Sequence, residues 1–269
     1  MLIVAKTGGK ILEEGLPREI AMDVKQVASS TRFVFVHGGG LEVTEMAKKL
    51  GKPQKFIVSP EGFRSRYTDR ETVDIYTMVM AGKLNKQIVT MLQSCGVPAV
   101  GLSGLDGSLV KASRKKRLIV LNERGRRMAV DGGYTGTVTD INTGLLDLLM
   151  DNGYVPVISP IAISEEFEPL NVDGDRFAAS IAGALKADLL VLLSDVEGLM
   201  LEGKVIPRLS AFEVKEVLPK VGPGMITKIH AAADALKLGA KEVVLVSGLA
   251  EKPISSAVKH NRGTVISYE

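Results

Sequence analysis

The chain has 269 residues, 45% of them hydrophobic, with 34 Lys and Arg against 31 Asp and Glu and a formal net charge of +3. That length and apolar content exclude disorder and suit either one large α/β domain or two closely joined lobes, while so mild a charge does not announce a nucleic-acid binder. A single cysteine (Cys95) excludes an internal disulfide framework, three scattered histidines (His37, His230, His260) speak against zinc, and no leader or membrane-length apolar span is legible, so a soluble cytoplasmic protein is expected.

In chain order, Leu2 to Ala5 is a short apolar strand that runs through Lys6 into Gly8 and Gly9, which aims the lysine at whatever the glycines admit. Pro17 starts a helix to about Ser29. Phe33 to His37 repeats the device, a strand ending in Gly38-Gly39-Gly40 and then a helix over Leu41 to Leu50. The stretch from Lys52 to Asp69 is polar and turn-rich. Thr72 to Met80 and Lys83 to Ser94 carry helical periodicity with an interruption at Gly82, and Val97 to Gly101 is another strand. Between Leu102 and Thr139 short alternating pieces predict a β-hairpin excursion at the rim of a sheet. After a helix at Thr143 to Asp151 comes the buried strand Tyr154 to Pro160.

Then follows the stretch around which the chain is organised, Leu170-Asn171-Val172-Asp173-Gly174-Asp175-Arg176, opening a helix over Phe177 to Leu185. A loop feeding a helix start at the end of a strand is where open α/β sheets bind ligands. Asn and Asp also make turns and cap helices, and on this stretch alone that plainer reading of Asn171, Asp173 and Asp175 stays open. Asp188 to Ser194 is the most apolar strand and is expected at the centre. Helices at about Ala211 to Leu218 and Met225 to Leu238 and strands at Glu242 to Val246 and Thr264 to Ile266 complete an alternation that calls for a mostly parallel sheet covered on both faces.

The glycine pairs leave backbone N–H groups bare for close approach to a phosphate, helped by the helix that starts after Gly40. Neither loop is a P-loop or a dinucleotide fingerprint: Lys10 follows Gly9 without the upstream spacing, and Val43 stands where the fingerprint wants Gly or Ala. His37-Gly38-Gly39-Gly40 also looks like a lipase oxyanion loop, but no nucleophile elbow exists, since Ser103 has Leu105 where glycine is needed. Gly222-Pro223-Gly224-Met225-Ile226-Thr227-Lys228 places a second lysine in an early helical turn, where the dipole favours an anion. Half-buried lysines need a partner, and Asp175 is the natural carboxylate to hold both Lys6 and Lys228. Two lysines, glycine loops and an organising aspartate suit phosphoryl transfer, where the enzyme mainly positions and neutralises.

Together, Lys6-x-Gly8-Gly9, His37-Gly38-Gly39-Gly40, Gly62-Phe63-Arg64, Asn171-x-Asp173-x-Asp175, Leu193-Ser194-Asp195-Val196-x-Gly198 and Gly224-Met225-x-x-Lys228 resemble the amino acid kinase superfamily, most of all its N-acetylglutamate kinase branch, along nearly the whole chain. The resemblance implies a single three-layer αβα sandwich over 1–269, with 1–170 mainly an amino-acid lobe and 171–269 mainly an ATP lobe. It implies attack of a carboxylate on the γ-phosphate of ATP, with Mg²⁺ carried by the nucleotide and no metal site of the protein's own. By resemblance Lys6 and Lys228 stabilise the transition state and Asp175 organises them. Gly39, Gly40, Arg64 and Asn171 hold the amino acid, with Arg64 on its α-carboxylate. Gly8, Gly9, Ser194, Asp195, Gly198 and Gly224 border the nucleotide.

Departures from the acetylglutamate kinase pattern are Asp173 in the middle of the Asn-x-Asp-x-Asp string, a further arginine within Gly62 to Asp69, and the strings Gly101 to Gly107 and Tyr134 to Val138. These resemble the [LysW]-aminoadipate kinases of lysine biosynthesis, whose substrate is borne on a small acidic carrier protein, LysW; glutamate on the same carrier, and hence arginine biosynthesis, stays open beside aminoadipate. The basic cluster Lys111, Arg114, Lys115, Lys116, Arg117, Arg124, Arg126 and Arg127, with Glu123 as its only acid, is then expected to dock that carrier, through Lys115, Lys116 and Arg117 above all. Without interleaved aromatics it does not suit nucleic acid. Tyr67 and Tyr134 line the carrier tail or simply pack, and family resemblance implies a homodimer. The competing readings are phosphorylation of free N-acetylglutamate and, in another class, a non-catalytic amino-acid sensor.

Overall fold

The computed structural model describes residues 1–60, 62, 64–122 and 124–268; Phe63 of the Gly62-Phe63-Arg64 string and Glu123 of the basic cluster lie outside the described residues. Eight strands form the central sheet: β1 Leu2–Thr7, β2 Arg32–His37, β3 Ala99–Ser103, β4 Val155–Ser159, β5 Leu189–Ser194, β6 Arg208–Ser210, β7 Glu242–Ser247 and β8 Thr264–Ser267. Their spatial order is β6-β8-β7-β5-β1-β2-β4-β3, parallel from β7 through β3, with β8 antiparallel to β7 and β6 parallel to β8. Strands β1 and β5 are buried at every position, which explains their apolar runs Leu2 to Ala5 and Leu189 to Leu193: helices cover both faces.

Period-two alternation divides each central strand between two cores. Leu2 and Val4 of β1 join the layer made with α5 (Thr143–Asp151), α6 (Gly174–Ala184) and α8 (Pro223–Leu238), whereas Ile3 and Ala5 join the layer made with α1 (Arg18–Ala28), α4 (Asn85–Ser94) and α9 (Pro253–Val258). This is the three-layer sandwich expected. A third cluster, Val43, Ala47, Ile75, Tyr76, Val79 and Met80, ties α2 (Gly40–Lys49) to α3 (Arg70–Thr77) beside the carboxyl ends of the strands.

Three local expectations need correction. No break occurs at Gly82, because α3 runs into α4 through a π-helical segment, Met78–Leu84, so the chain changes its hydrogen-bond step instead of stopping. The turn-rich stretch 52–69 contains an antiparallel hairpin pairing Phe56–Val58 with Arg64–Arg66. The rim excursion is two objects: Val110–Arg114 and Gly136–Ile141 join Ile161–Ile163 and Pro169–Asn171 in a four-stranded sheet, while Arg117–Leu121 and Arg127–Asp131 make a separate ribbon. Helices α7 (Val214–Val217) and α8 fall at the places expected, and α9, six residues long, carried no periodic signal that could announce it. Among the described residues no helix is long and apolar enough to cross a membrane.

Candidate functional site

The alternation that places Leu2 and Val4 against α6 does the same for Lys6, which leaves the sheet toward the first turn of that helix. Asp173 caps α6, its Oδ1 accepting from the N–H groups of Asp175 (3.1 Å) and Arg176 (3.0 Å). Because Asp173 caps the helix, the Asp175 carboxylate is left for the lysines. Lys6 Nζ lies 2.7 Å from Oδ1, an ion pair without the angle of a hydrogen bond, and Lys228 Nζ donates to Oδ2 at 2.9 Å. Side-chain exposures of 7% for Lys6, 8% for Asp175 and 15% for Lys228 make this a nearly dry triad. Burial alone would raise the Asp175 pKa, but the charges of Lys6 and Lys228 outweigh it and hold the carboxyl well below the usual carboxylate range. Gly183 sets the helix spacing behind the triad: a Cβ there would lie 2.2 Å from Leu238 Cβ, so only glycine lets α8 lie this close to α6.

Both glycine loops stand at the carboxyl ends of adjacent parallel strands, and they touch. A Cβ on Gly9 would meet Gly39 N at 3.3 Å and Gly40 N at 3.4 Å, and one on Gly38 would meet Gly9 N at 3.0 Å. Gly39, at φ 148°, also faces Met80 and Leu84 of the π-helical segment, with Leu84 Cδ1 2.2 Å from the Cβ it lacks. Backbone N–H groups from two loops thus gather beside the Lys6 strand, and Gly8 N donates to Leu193 O at 3.3 Å, joining the first loop to β5.

On the β5 side, Ser194 is buried and its Oγ accepts from Val196 N at 3.2 Å. Asp195 pairs with Lys10 at 2.6 Å across the mouth of the cleft, an exposed pair in which hydrogen bonding to Asp195 raises the Lys10 pKa and Lys10 lowers that of Asp195. Gly198 is needed for close packing, since a Cβ would lie 2.8 Å from Thr264 Oγ1, and Gly224 is exposed in the first turn of α8. On the opposite side, Asn171 Nδ2 donates to Thr68 Oγ1 at 3.0 Å.

Arg64 and Arg66 stand on the same short strand at different depths. Arg64 is exposed, with its guanidinium 4.0 Å from the centre of the Phe56 ring, and Arg66 takes the inner place, donating to Gly40 O (2.7 Å), Thr44 Oγ1 (2.9 Å) and Gln54 Oε1 (2.5 Å). Two residues apart on one strand, the arginines share a face, so alternation cannot separate them; nearness to the base of the hairpin does. The basic cluster is likewise divided. Lys111 pairs with Asp140 at 3.5 Å, and Arg114 with Glu168 at 3.2 Å while lying 4.2 Å over the Tyr134 ring. Lys115 is half-buried toward Arg176 and Asp173, with its pKa lowered by burial and then by Arg176, whereas Lys116 and Arg117 are exposed. Tyr76 and Asn85, buried beside this site, escaped sequence reasoning because each reads as one more helical residue.

A depression of about 430 Å³ lined by Arg32, Met150 and Tyr154 lies at the amino-terminal ends of β2 and β4, the end of the sheet opposite the lysine triad, and has no part in this chemistry.

Residues 1–247 match the model of the amino acid kinase family. A protein of Saccharolobus islandicus (strain L.S.2.15 / Lassen #1) named [LysW]-aminoadipate/[LysW]-glutamate kinase is 44% identical over 266 residues, covering 98% of this chain and 99% of its own. A Nitrosopumilus maritimus (strain SCM1) protein that carries the same name provisionally is 49% identical over 268 residues, with 100% of both chains covered. Among solved structures, N-acetylglutamate synthase from Neisseria gonorrhoeae, complexed with coenzyme A and N-acetyl-glutamate, superimposes at TM-score 0.82 and 24% identity, this chain spanning 59% of its length. Carbamate kinase from Giardia lamblia bound to AMP-PNP superimposes at TM-score 0.66 and 16% identity over 99% of this chain and 98% of that one; both likenesses concern the fold.

Proposed function

The chain belongs to the amino acid kinase family, and on that premise we propose that it transfers the γ-phosphoryl group of ATP to the side-chain carboxylate of 2-aminoadipate, and of glutamate, borne on the small acidic carrier protein LysW. The product is an acyl phosphate of lysine and, with glutamate, arginine biosynthesis. The observation that carries the reading is the Lys6–Asp175–Lys228 triad beside two facing glycine loops. A transferring phosphoryl group spreads charge over its equatorial oxygens, and two ammonium groups fixed by one buried carboxylate are already in place to meet it. Both Asp175 oxygens face lysines, which supports Mg²⁺ arriving on the phosphates of ATP and not on this carboxylate. Mg²⁺, when bound with the nucleotide, would supply neutralisation of phosphate charge.

The residues then divide the work. Lys6 and Lys228 stabilise the transferring group, and Asp175 holds them apart at fixed positions. Gly8 and Gly9 border the phosphates, Gly9 with its N–H since that of Gly8 is held by Leu193 O, and Ser194, Asp195, Gly198 and Gly224 border the nucleotide in the 171–269 half. In the 1–170 half, Gly39, Gly40 and Asn171 border the amino acid. Arg64 clamps its α-carboxylate from the exposed end of the short strand, while Arg66, whose guanidinium is taken up by Gly40 O, Thr44 and Gln54, holds the glycine loop in place. Lys115 faces the start of α6, leaving Lys116 and Arg117 as the outward docking charges for the carrier. A homodimer, on family resemblance, and a cytoplasmic setting, on composition, belong to the same proposal. Turnover of carrier-linked aminoadipate, carrier-linked glutamate and free N-acetylglutamate side by side tests it: preference for the free substrate would sink the carrier reading, and absence of ATP turnover with all three would sink the catalytic one.

A further inference from the structure

Beneath the Gly38–Gly40 loop, on the face of the sheet away from Lys6, lies a polar network that the phosphoryl-transfer chemistry does not use. Asn85, the first residue of α4 after the π-helical segment, is completely buried. Its Nδ2 lies 2.9 Å from Val157 O, 3.2 Å from His37 Nε2 and 3.3 Å from Leu102 O, while its Oδ1 accepts from Lys86 Nζ at 3.0 Å. One amide therefore bridges β2, β4 and β3. The space for it exists because residue 101 is glycine: a Cβ there would come within 2.1 Å of Asn85 Oδ1.

The orientation of this amide has a chemical consequence. With an ammonium on Oδ1 the amide nitrogen faces His37, and its two N–H protons are shared among Nε2 and the two carbonyls, an arrangement that suits an Nε2 without a proton. The imidazole proton is then on Nδ1, which donates to Gly38 O at 2.9 Å. Burial, against that Gly38 hydrogen bond and with the charges of Lys6 and Lys86 adding to it, lowers the His37 pKa to about 4, so the ring is neutral at pH 7. In a trans peptide the carbonyl and the following N–H point to opposite sides, so anchoring Gly38 O toward His37 directs Gly39 N–H away from that ring.

We propose that Asn85 is a positioning residue for phosphoryl transfer: by selecting the Nδ1–H tautomer of His37 it fixes the Gly38–Gly39 peptide plane and thereby aims the N–H groups that receive the carboxylate substrate. The proposal rests on the kinase reading for its consequence but not for its geometry. Nitrogen-15 NMR of the histidine rings in the free protein near pH 7 should show His37 neutral with its proton on Nδ1, the minor tautomer of free imidazole side chains. A proton on Nε2, or a doubly protonated ring, overturns the proposal whatever the protein phosphorylates. Asn85→Asp replaces the donor by an acceptor, draws the proton to Nε2 and sets a bare Nδ1 lone pair against Gly38 O. Its kcat/KM for carrier-linked aminoadipate should fall by about tenfold or more, the loss of one well-aimed hydrogen bond, with KM for ATP little changed. A shifted tautomer with unchanged kcat/KM, or an equal rise in both KM values, would show that the network serves packing alone. If Asn85→Asp does not fold, the wild-type spectrum still decides.

Discussion

Replacing Asp175 by asparagine removes one charge from the centre of the triad and leaves the shape. In the wild type each carboxylate oxygen faces its own ammonium, at 2.7 Å and 2.9 Å. An asparagine has one acceptor oxygen, so one lysine keeps a partner and the other meets an N–H donor at the same place. Removing one member of a buried ion pair costs about 3–5 kcal/mol because the charge left behind is uncompensated. With side-chain exposures of 15% or less throughout, little solvent screening reduces that figure. Against a total stability of about 5–15 kcal/mol, the variant folds with a narrowed margin. Turnover should fall by about 10²–10³ in kcat, the cost of losing one preorganised electrostatic group. Denaturant unfolding with and without MgATP, together with steady-state kinetics, measures both quantities. The phosphates replace part of the missing negative charge, so MgATP should stabilise Asp175→Asn more than it stabilises the wild type. A variant within about 1 kcal/mol of wild type, the size of an ordinary substitution, with kcat unchanged, would refute the organiser role.

Gly183→Ala should gain about 1 kcal/mol of helix propensity and lose about 1–3 kcal/mol to overpacking against Leu238, for a net loss of stability together with a lower kcat as α8 and Lys228 shift; a more stable, fully active variant would contradict this. Acid should weaken the fold in two stages. His37 has a folded pKa of about 4 against 6.5, so the unfolded chain takes up the proton first and stability declines as pH falls from 6.5 toward 4, by at most about 3 kcal/mol. Asp175, with its folded pKa depressed, keeps its stabilising charge above the ordinary carboxylate range and loses it at still lower pH. Unfolding free energies from pH 7 to 3 that show no slope above pH 4 would contradict the neutral buried His37. Reversing Lys116 and Arg117 to glutamate should raise KM for the carrier-linked substrate only, and salt should mimic the change because exposed charges are screened beyond about 10 Å at ~0.1 M; equal effects on free N-acetylglutamate would reduce the ribbon to a solvated face.

What the sequence determined by itself follows from short-range physics. Unbroken apolar runs such as Leu189 to Leu193 could only be covered central strands, and the glycines after Thr7 and His37 had to mark strand ends open to a ligand. Asp175 was legible as a partner for Lys6 and Lys228 because half-buried ammonium groups need a carboxylate and this one opens a helix beside the loops. The tertiary structure decided what local pattern leaves degenerate. Arg64 and Arg66 have the same strand periodicity, and only the hairpin's attachment makes Arg66 the inner one. Lys115, Lys116 and Arg117 read as one charge run, yet the link between the small sheet and the ribbon leaves Lys115 half-buried near Arg176 and its neighbours in water. Asn85 looked like any polar helical residue, because its meaning depends on carbonyls of Leu102 and Val157 and on a ring at position 37, all brought to it from distant parts of the chain by the order of parallel strands. Propensity and pattern carry no information about such meetings, which only the packed sheet creates.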